Sequence, residues 1–310
     1  MSPRLSTALL LAAAGAFAAC ADDDATKGEE RTLQIPFTAV LGDQMIAPET
    51  CYDGVGSAQR SMTLDDLRFY AANVEARNED GEWVPLTLTN RSWQNHALTL
   101  IDLSALEFES STAGVNNYIQ GTVPEGSYNG LRFTLGVPFE LNHSDAATAE
   151  APLNVTGMFW SWQGGRKFLR LDGRPCGPDL DENAPLGISI HLGSTACQGE
   201  MTNIESCANE NRSVIELDWN PGEAIVLDLD TFFEDQDIYA NTPDTPSLCM
   251  SAPNDPECGP IFDALGLPFG DATSAGQRAF YVTDQALEAH ATGDASNGGE
   301  QSEDPDHDRH

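Results

Sequence analysis

Apolar and polar residues alternate along most of this chain. Leu33, Ile35, Phe37, Ala39 and Leu41 recur at every second position, the period of a strand with one face buried. The same alternation returns over residues 67–74. Asn78-Glu79-Asp80-Gly81 then reads as a turn, and Trp83-Val84-Pro85-Leu86 as the returning strand. Ala97, Thr99, Ile101 and Leu103 fit another strand. Val123-Pro124-Glu125-Gly126-Ser127 reads as a turn, and Leu131, Phe133, Leu135 and Val137 form the clearest strand of all. Further strands are expected at 168–171, 187–192, 214–219 and 224–229. Helical periodicity is scarce, with short turns expected at 115–119, 261–265 and 284–290. Many short strands between Gly- and Pro-containing turns predict an all-β fold, an antiparallel β-sandwich with few short helices.

The two ends fall outside this pattern. Residues 1–20 carry Arg4, then a small apolar run ending Phe17-Ala18-Ala19-Cys20, which reads as a lipoprotein signal peptide with Cys20 lipidated. An ordinary signal peptide cut nearby is the competing reading, and both place the protein outside the cytoplasm, in the periplasm or at the outer membrane. Residues 21–31 read as an acidic tether and 32–290 as the folded domain. Residues 291–310 read as a disordered acidic tail that takes His307 and His310 with it. No later apolar run is long enough to span a bilayer, so membrane contact is expected only through the lipid anchor.

Composition narrows the function. Fifteen basic residues stand against 49 acidic ones, a net charge of −34. Such a field repels nucleic acid and anionic lipid. Beyond Cys20 there are six cysteines: Cys51, Cys176, Cys197, Cys207, Cys249 and Cys258. An even count in an exported chain reads as disulfides. Short loops favour Cys197–Cys207 and Cys249–Cys258, which leaves Cys51–Cys176. A thiolate metal site is the rival, although the spacings are not those of zinc knuckles.

There is no phosphate loop, nucleophile elbow, His-Glu-x-x-His pair or dinucleotide turn, and no enzyme is expected. Asp228, Asp230, Glu234, Asp235 and Asp237 lack the glycine of a calcium loop and read as structural or solvated. Candidate donors gather between residues 142 and 197. Met158, Trp160 and Trp162 would share one strand face, a stripe that by spacing alone suits a core. His143 follows a strand end in a loop. His191 faces away from Ile188 and Ile190. Imidazole and thioether donors together suit copper better than calcium or magnesium.

These residues also carry a resemblance. Asn142-His143, Pro152-Leu153-Asn154, Met158-Phe159-Trp160-Ser161-Trp162-Gln163, Lys167-Phe168 and His191-Leu192-Gly193-Ser194-Thr195 ahead of Cys197 resemble the MbnP-like family, the metallo-mystery-pair four-Cys proteins with a Trp-x-Trp signature. The likeness spans roughly residues 33–282. It implies an exported copper-binding protein paired with a di-haem cytochrome c peroxidase-like partner of the MbnH type, which converts a tryptophan to kynurenine. Indole nitrogen is a poor ligand because its lone pair belongs to the ring, whereas ring opening yields an aryl amine that can bind copper. Carried onto this chain, the resemblance makes His143 and His191 the ligands and Trp162 or Trp160 the modified residue, with Trp93 and His96 in reserve. The competing function is a surface lipoprotein that binds another ligand or carbohydrate, or is purely structural, with Trp160 and Trp162 as core or stacking platform.

Overall fold

The computed structural model describes residues 28–42, 44–47, 49–104, 116–161, 163–178, 180, 184–200 and 203–283. The signal, lipidated cysteine, most of the tether, Trp162, the helical turn at 284–290 and the acidic tail lie outside these residues.

Two sheets face one another. In the six-stranded sheet the order is Phe280–Thr283, Ala224–Asp228, Glu30–Leu41, Tyr118–Pro124 and Thr87–Leu88, with Gln44–Met45 paired to Glu30–Leu41. In the eight-stranded sheet the order is Ile188–Leu192, Leu169–Pro175, Arg60–Asn78, Tyr128–Leu135 and Ser213–Leu217. Cys51–Val55, Trp83–Pro85 and Leu98–Asp102 also pair with Arg60–Asn78. Four phenylalanines lock the sheets together. Phe37 and Phe280 project from one sheet, Phe69 and Phe133 from the other, and every cross-sheet pair meets edge to face at 5.6–5.7 Å. The favoured ring geometry adds to the area that these side chains bury. The residues reached by the alternation of Leu33 to Leu41 are all buried in this core, as expected of one strand face.

The disulfides pair Cys51 with Cys176, Cys197 with Cys207, and Cys249 with Cys258, as the loop lengths suggest. Three local expectations change. The turn expected at 115–119 is instead a bridge at Asn116 followed by the strand Tyr118–Pro124. Gly121 permits this pairing, because a Cβ there would stand 2.9 Å from the Thr87 carbonyl oxygen. The sheets are not wholly antiparallel, since Glu30–Leu41 runs parallel to Ala224–Asp228, with Phe37 opposite Ile225. A long connection separates the two, so either direction is open to them. Finally, Met158 does not share a strand face with Trp160. Met158 ends a 3-10 turn, Thr156–Met158, and is fully buried, while Trp160 is half-buried in the short strand Phe159–Ser161.

Candidate metal centre

The end strand of the larger sheet and its neighbour set the first group. Leu169–Pro175 pairs with Ile188–Leu192 so that Asp172 lies opposite Ser189, and Arg170 opposite His191. Side chains two apart on adjacent strands reach each other diagonally. Asp172 Oδ1 accepts hydrogen bonds from Ser189 Oγ at 2.7 Å and from His191 Nε2 at 2.8 Å, and Oδ2 accepts one from Arg170 Nε at 2.5 Å. Burial alone would raise the Asp172 carboxyl. The hydrogen bond and charge of His191, the Ser189 hydroxyl and the Arg170 guanidinium outweigh it and hold the group well below the usual carboxylate range. Arg170 continues to Asp66 at 3.0 Å, and Asp66 to Arg68.

This geometry fixes the histidine. A carboxylate can only accept, so Nε2 carries a proton toward Asp172, and in the neutral ring Nδ1 holds the lone pair. His191 is 7% exposed, and its Nδ1 is buried with no hydrogen-bond partner. A basic nitrogen left bare in this way costs free energy unless something binds it.

The Trp160 ring lies beside His191, with centroids 6.2 Å apart. Its strand, Phe159–Ser161, pairs with Gly165–Arg166 as a tight hairpin. Gly193 makes room for the indole, since a Cβ there would fall 2.6 Å from Trp160 Cζ3. Trp160 opens onto a cleft of about 440 Å3, lined also by Gln163, Ser194, Thr195, Cys197 and Met250. Gln163 Nε2 donates to the Cys197 carbonyl at 3.1 Å and so holds the hairpin to the opposite wall.

Behind that wall stands His143. It caps the short helix Phe139–Asn142 and is partly exposed. Its Nε2 lies 3.2 Å from Asn142 Nδ2 and 3.5 Å from Cys207 Sγ. Donor atoms of His143, Cys197 and Cys207 all lie within 4.8 Å of one another. The two sulfurs form a disulfide, so neither is a thiolate ligand in this state. Arg166 ties this corner to the Trp160 hairpin. Fully buried, its guanidinium donates to the carbonyls of Leu141, Asn142 and Leu153, and its backbone N–H donates to Asn142 Oδ1.

Two of the residues expected at the centre therefore meet directly, Trp160 and His191. His143 joins them only across the Cys197–Cys207 bridge. His96 is exposed in the turn before Leu98–Asp102 and belongs to neither group, and Trp93 is buried in the core. Met158 is core as well. Asp172, Ser189, Arg170 and Gly193 were not anticipated from sequence. Their signal was present in the alternation, which puts Arg170 and Asp172 on one face of their strand and Ser189 and His191 on one face of the next.

A disulfide-stapled β-sandwich with an indole and a carboxylate-bound imidazole at one rim is the class that fold and site define. The MbnP family model matches residues 30–251, and the chain belongs to that family. Among solved structures it resembles MbnP from Methylosinus trichosporium at 27% identity and a TM-score of 0.72, over 82% of this chain and 98% of that one. None of the curated proteins matches the chain.

Proposed function

We propose that this protein binds copper between Trp160 and His191, beside the cleft that Trp160 lines, and holds or delivers it without catalysing a reaction. The observation that carries this reading is His191 Nδ1, a buried lone pair with no partner, beside a half-buried indole. Asp172 is the supporting partner that ligand histidines commonly have, fixing the orientation of the ring. Imidazole, thioether and arylamine donors suit copper, which when bound supplies a soft-to-borderline acceptor for them. Met250 lines the same cleft and is the available thioether. His143 is the second imidazole, reached across the Cys197 wall.

Trp160 is the residue we assign to kynurenine formation. Two equivalents of a peroxide-class oxidant, handled by a di-haem peroxidase-like partner, would each deliver one oxygen atom across the indole C2–C3 bond and leave as water, cleaving that bond. Hydrolysis of the resulting formamide would release formate and leave the aryl amine. The half-open cleft gives that partner access, and Gly193 and Gly164 leave space for the altered ring. The chain's leader supports export as a lipoprotein of the cell envelope.

Copper titration of the chain and of His191→Ala tests the metal reading; equal affinities would overturn it. Peptide mass spectrometry after coexpression with the partner tests the modification. A peptide carrying Trp160 should gain the mass of dioxygen and lose that of carbon monoxide, and an unchanged Trp160 would refute its role.

A further inference from the structure

The segment that docks on the His191 strand buries three carboxylate oxygens that close no hydrogen bond. The Cys249–Cys258 disulfide closes this segment. Its backbone is locked in place: His191 N donates to Cys249 O at 2.9 Å, Cys249 N to Ser189 O at 3.0 Å, and Ser251 Oγ to His191 O at 2.9 Å. Within it Asp255 is 0% exposed, and both of its carboxylate oxygens lack a hydrogen-bond partner. Glu257 Oε2 is buried and unpartnered too, while Oε1 accepts from Thr242 N and Thr242 Oγ1, each at 2.8 Å. The N–H groups of Met250 and Glu257 favour the charged form of Asp255, yet neither closes a hydrogen bond.

Three buried carboxylate oxygens that close no hydrogen bond are costly. Either a proton or a cation can relieve them. Burial, and then the contact and charge of Glu257, push Asp255 up to about 7. A shared proton satisfies at most two of the three oxygens and leaves the third bare. A cation meets all three. The donors are hard oxygens with no nitrogen or sulfur among them, which selects calcium-class ions over copper. Glu257 is only half-buried, so water can complete the shell.

We propose that Asp255 and Glu257 form a second metal site, for a hard divalent cation of the calcium class, distinct from the Trp160–His191 pair. It clamps the segment that carries Met250 and braces the backbone of His191.

Isothermal titration of calcium chloride into the chelator-treated full chain, at neutral pH and physiological salt, tests this. Salt suppresses loose binding to the acidic surface. One saturable site per chain is expected, together with a rise in melting temperature on adding calcium. Asp255→Asn and Glu257→Gln should each weaken that site by about tenfold or more, because affinity follows ligand charge. Should Asp255→Asn fail to fold, Glu257→Gln decides, since its side chain is half-exposed. The proposal is overturned if no saturable binding occurs by about 1 mM calcium, the weak end of protein calcium sites. It is equally overturned if both variants bind as the parent does. Calcium-insensitive melting with Asp255→Asn more stable than the parent above neutral pH would identify a proton-sharing pair instead, and would also overturn it.

Discussion

Replacing Asp172 by Asn tests how the site is held. The carboxylate accepts from Arg170, Ser189 and His191 at 2.5, 2.7 and 2.8 Å. An amide has one accepting oxygen. Turned to serve Ser189 and His191, it sets its NH2 against Arg170 Nε, donor to donor; turned the other way, it faces two donors. A hydrogen bond to a charged group contributes about 1.5–3 kcal/mol. With the Asp172 side chain 21% exposed, solvent screens part of this, and we expect a loss of about 2 kcal/mol at pH 7. The pH dependence follows from the depressed folded-state value. Stability from this group is fully present above the unfolded carboxylate value of about 3.9 and is lost as pH falls toward the lower folded value. The gap between parent and variant should therefore hold from pH 7 to about pH 5 and narrow below about pH 4. Urea unfolding at a series of pH values reads it directly. Copper affinity should fall by roughly 10–100-fold, the usual effect of losing a ligand's supporting partner. A gap under about 0.5 kcal/mol at pH 7, where ordinary surface changes lie, would refute the network. So would a gap that stays constant into acid.

Gly193→Ala should push the indole off His191, since the new Cβ would stand 2.6 Å from Trp160 Cζ3; quenching of Trp160 fluorescence by copper should weaken while the melting temperature changes little. Phe69→Ala removes the ring that touches both Phe37 and Phe280 and should cost about 3–5 kcal/mol in urea unfolding. The double change Cys51→Ser and Cys176→Ser opens a loop with a separation of 125 residues and should lose about 4–5 kcal/mol on the chain-entropy model, read as a lower urea midpoint than the parent's. His96→Ala should leave copper affinity unchanged, because His96 is exposed and outside the cleft; a tenfold loss would mean the donor set is drawn wrongly.

Much of the sandwich was legible because burial writes itself into alternation. Leu33 to Leu41 and Leu131 to Val137 have one wet and one dry face, and their period says so. The turn at Asn78 to Gly81 was legible for its φ requirement, met by Gly81 at +83°. Where alternation breaks, the sequence no longer marks the strand. The strand Arg60–Asn78 runs 19 residues, but only its middle was legible. Its pairing shifts register between Ala72 and Glu75, where Asn73 sits at a φ of +50°, and such a bulge flips which positions face inward. Tyr118–Pro124 buries Ile119, Gly121 and Val123 in alternation, but a glycine at the middle of that face thins the apolar pattern. At the site, the histidines and tryptophans stood out by rarity. Asp172 did not, being one carboxylate among 49 acidic residues, and only strand register brings it to His191.

The parallel pairing of Phe37–Val40 with Ile225–Asp228 has a consequence for biosynthesis. Among the described strands Glu30–Leu41 comes earliest, and this edge stays open until Ala224–Asp228, far along the chain, is available. Contacts this far apart in sequence close slowly. In the interval Glu30–Leu41 presents unpaired N–H and C=O groups along an apolar ribbon, the kind of edge that recruits other chains. A nascent copy halted before Ala224 would keep that edge for good, so the dense negative charge elsewhere in the chain doubles as protection against self-association while synthesis is under way.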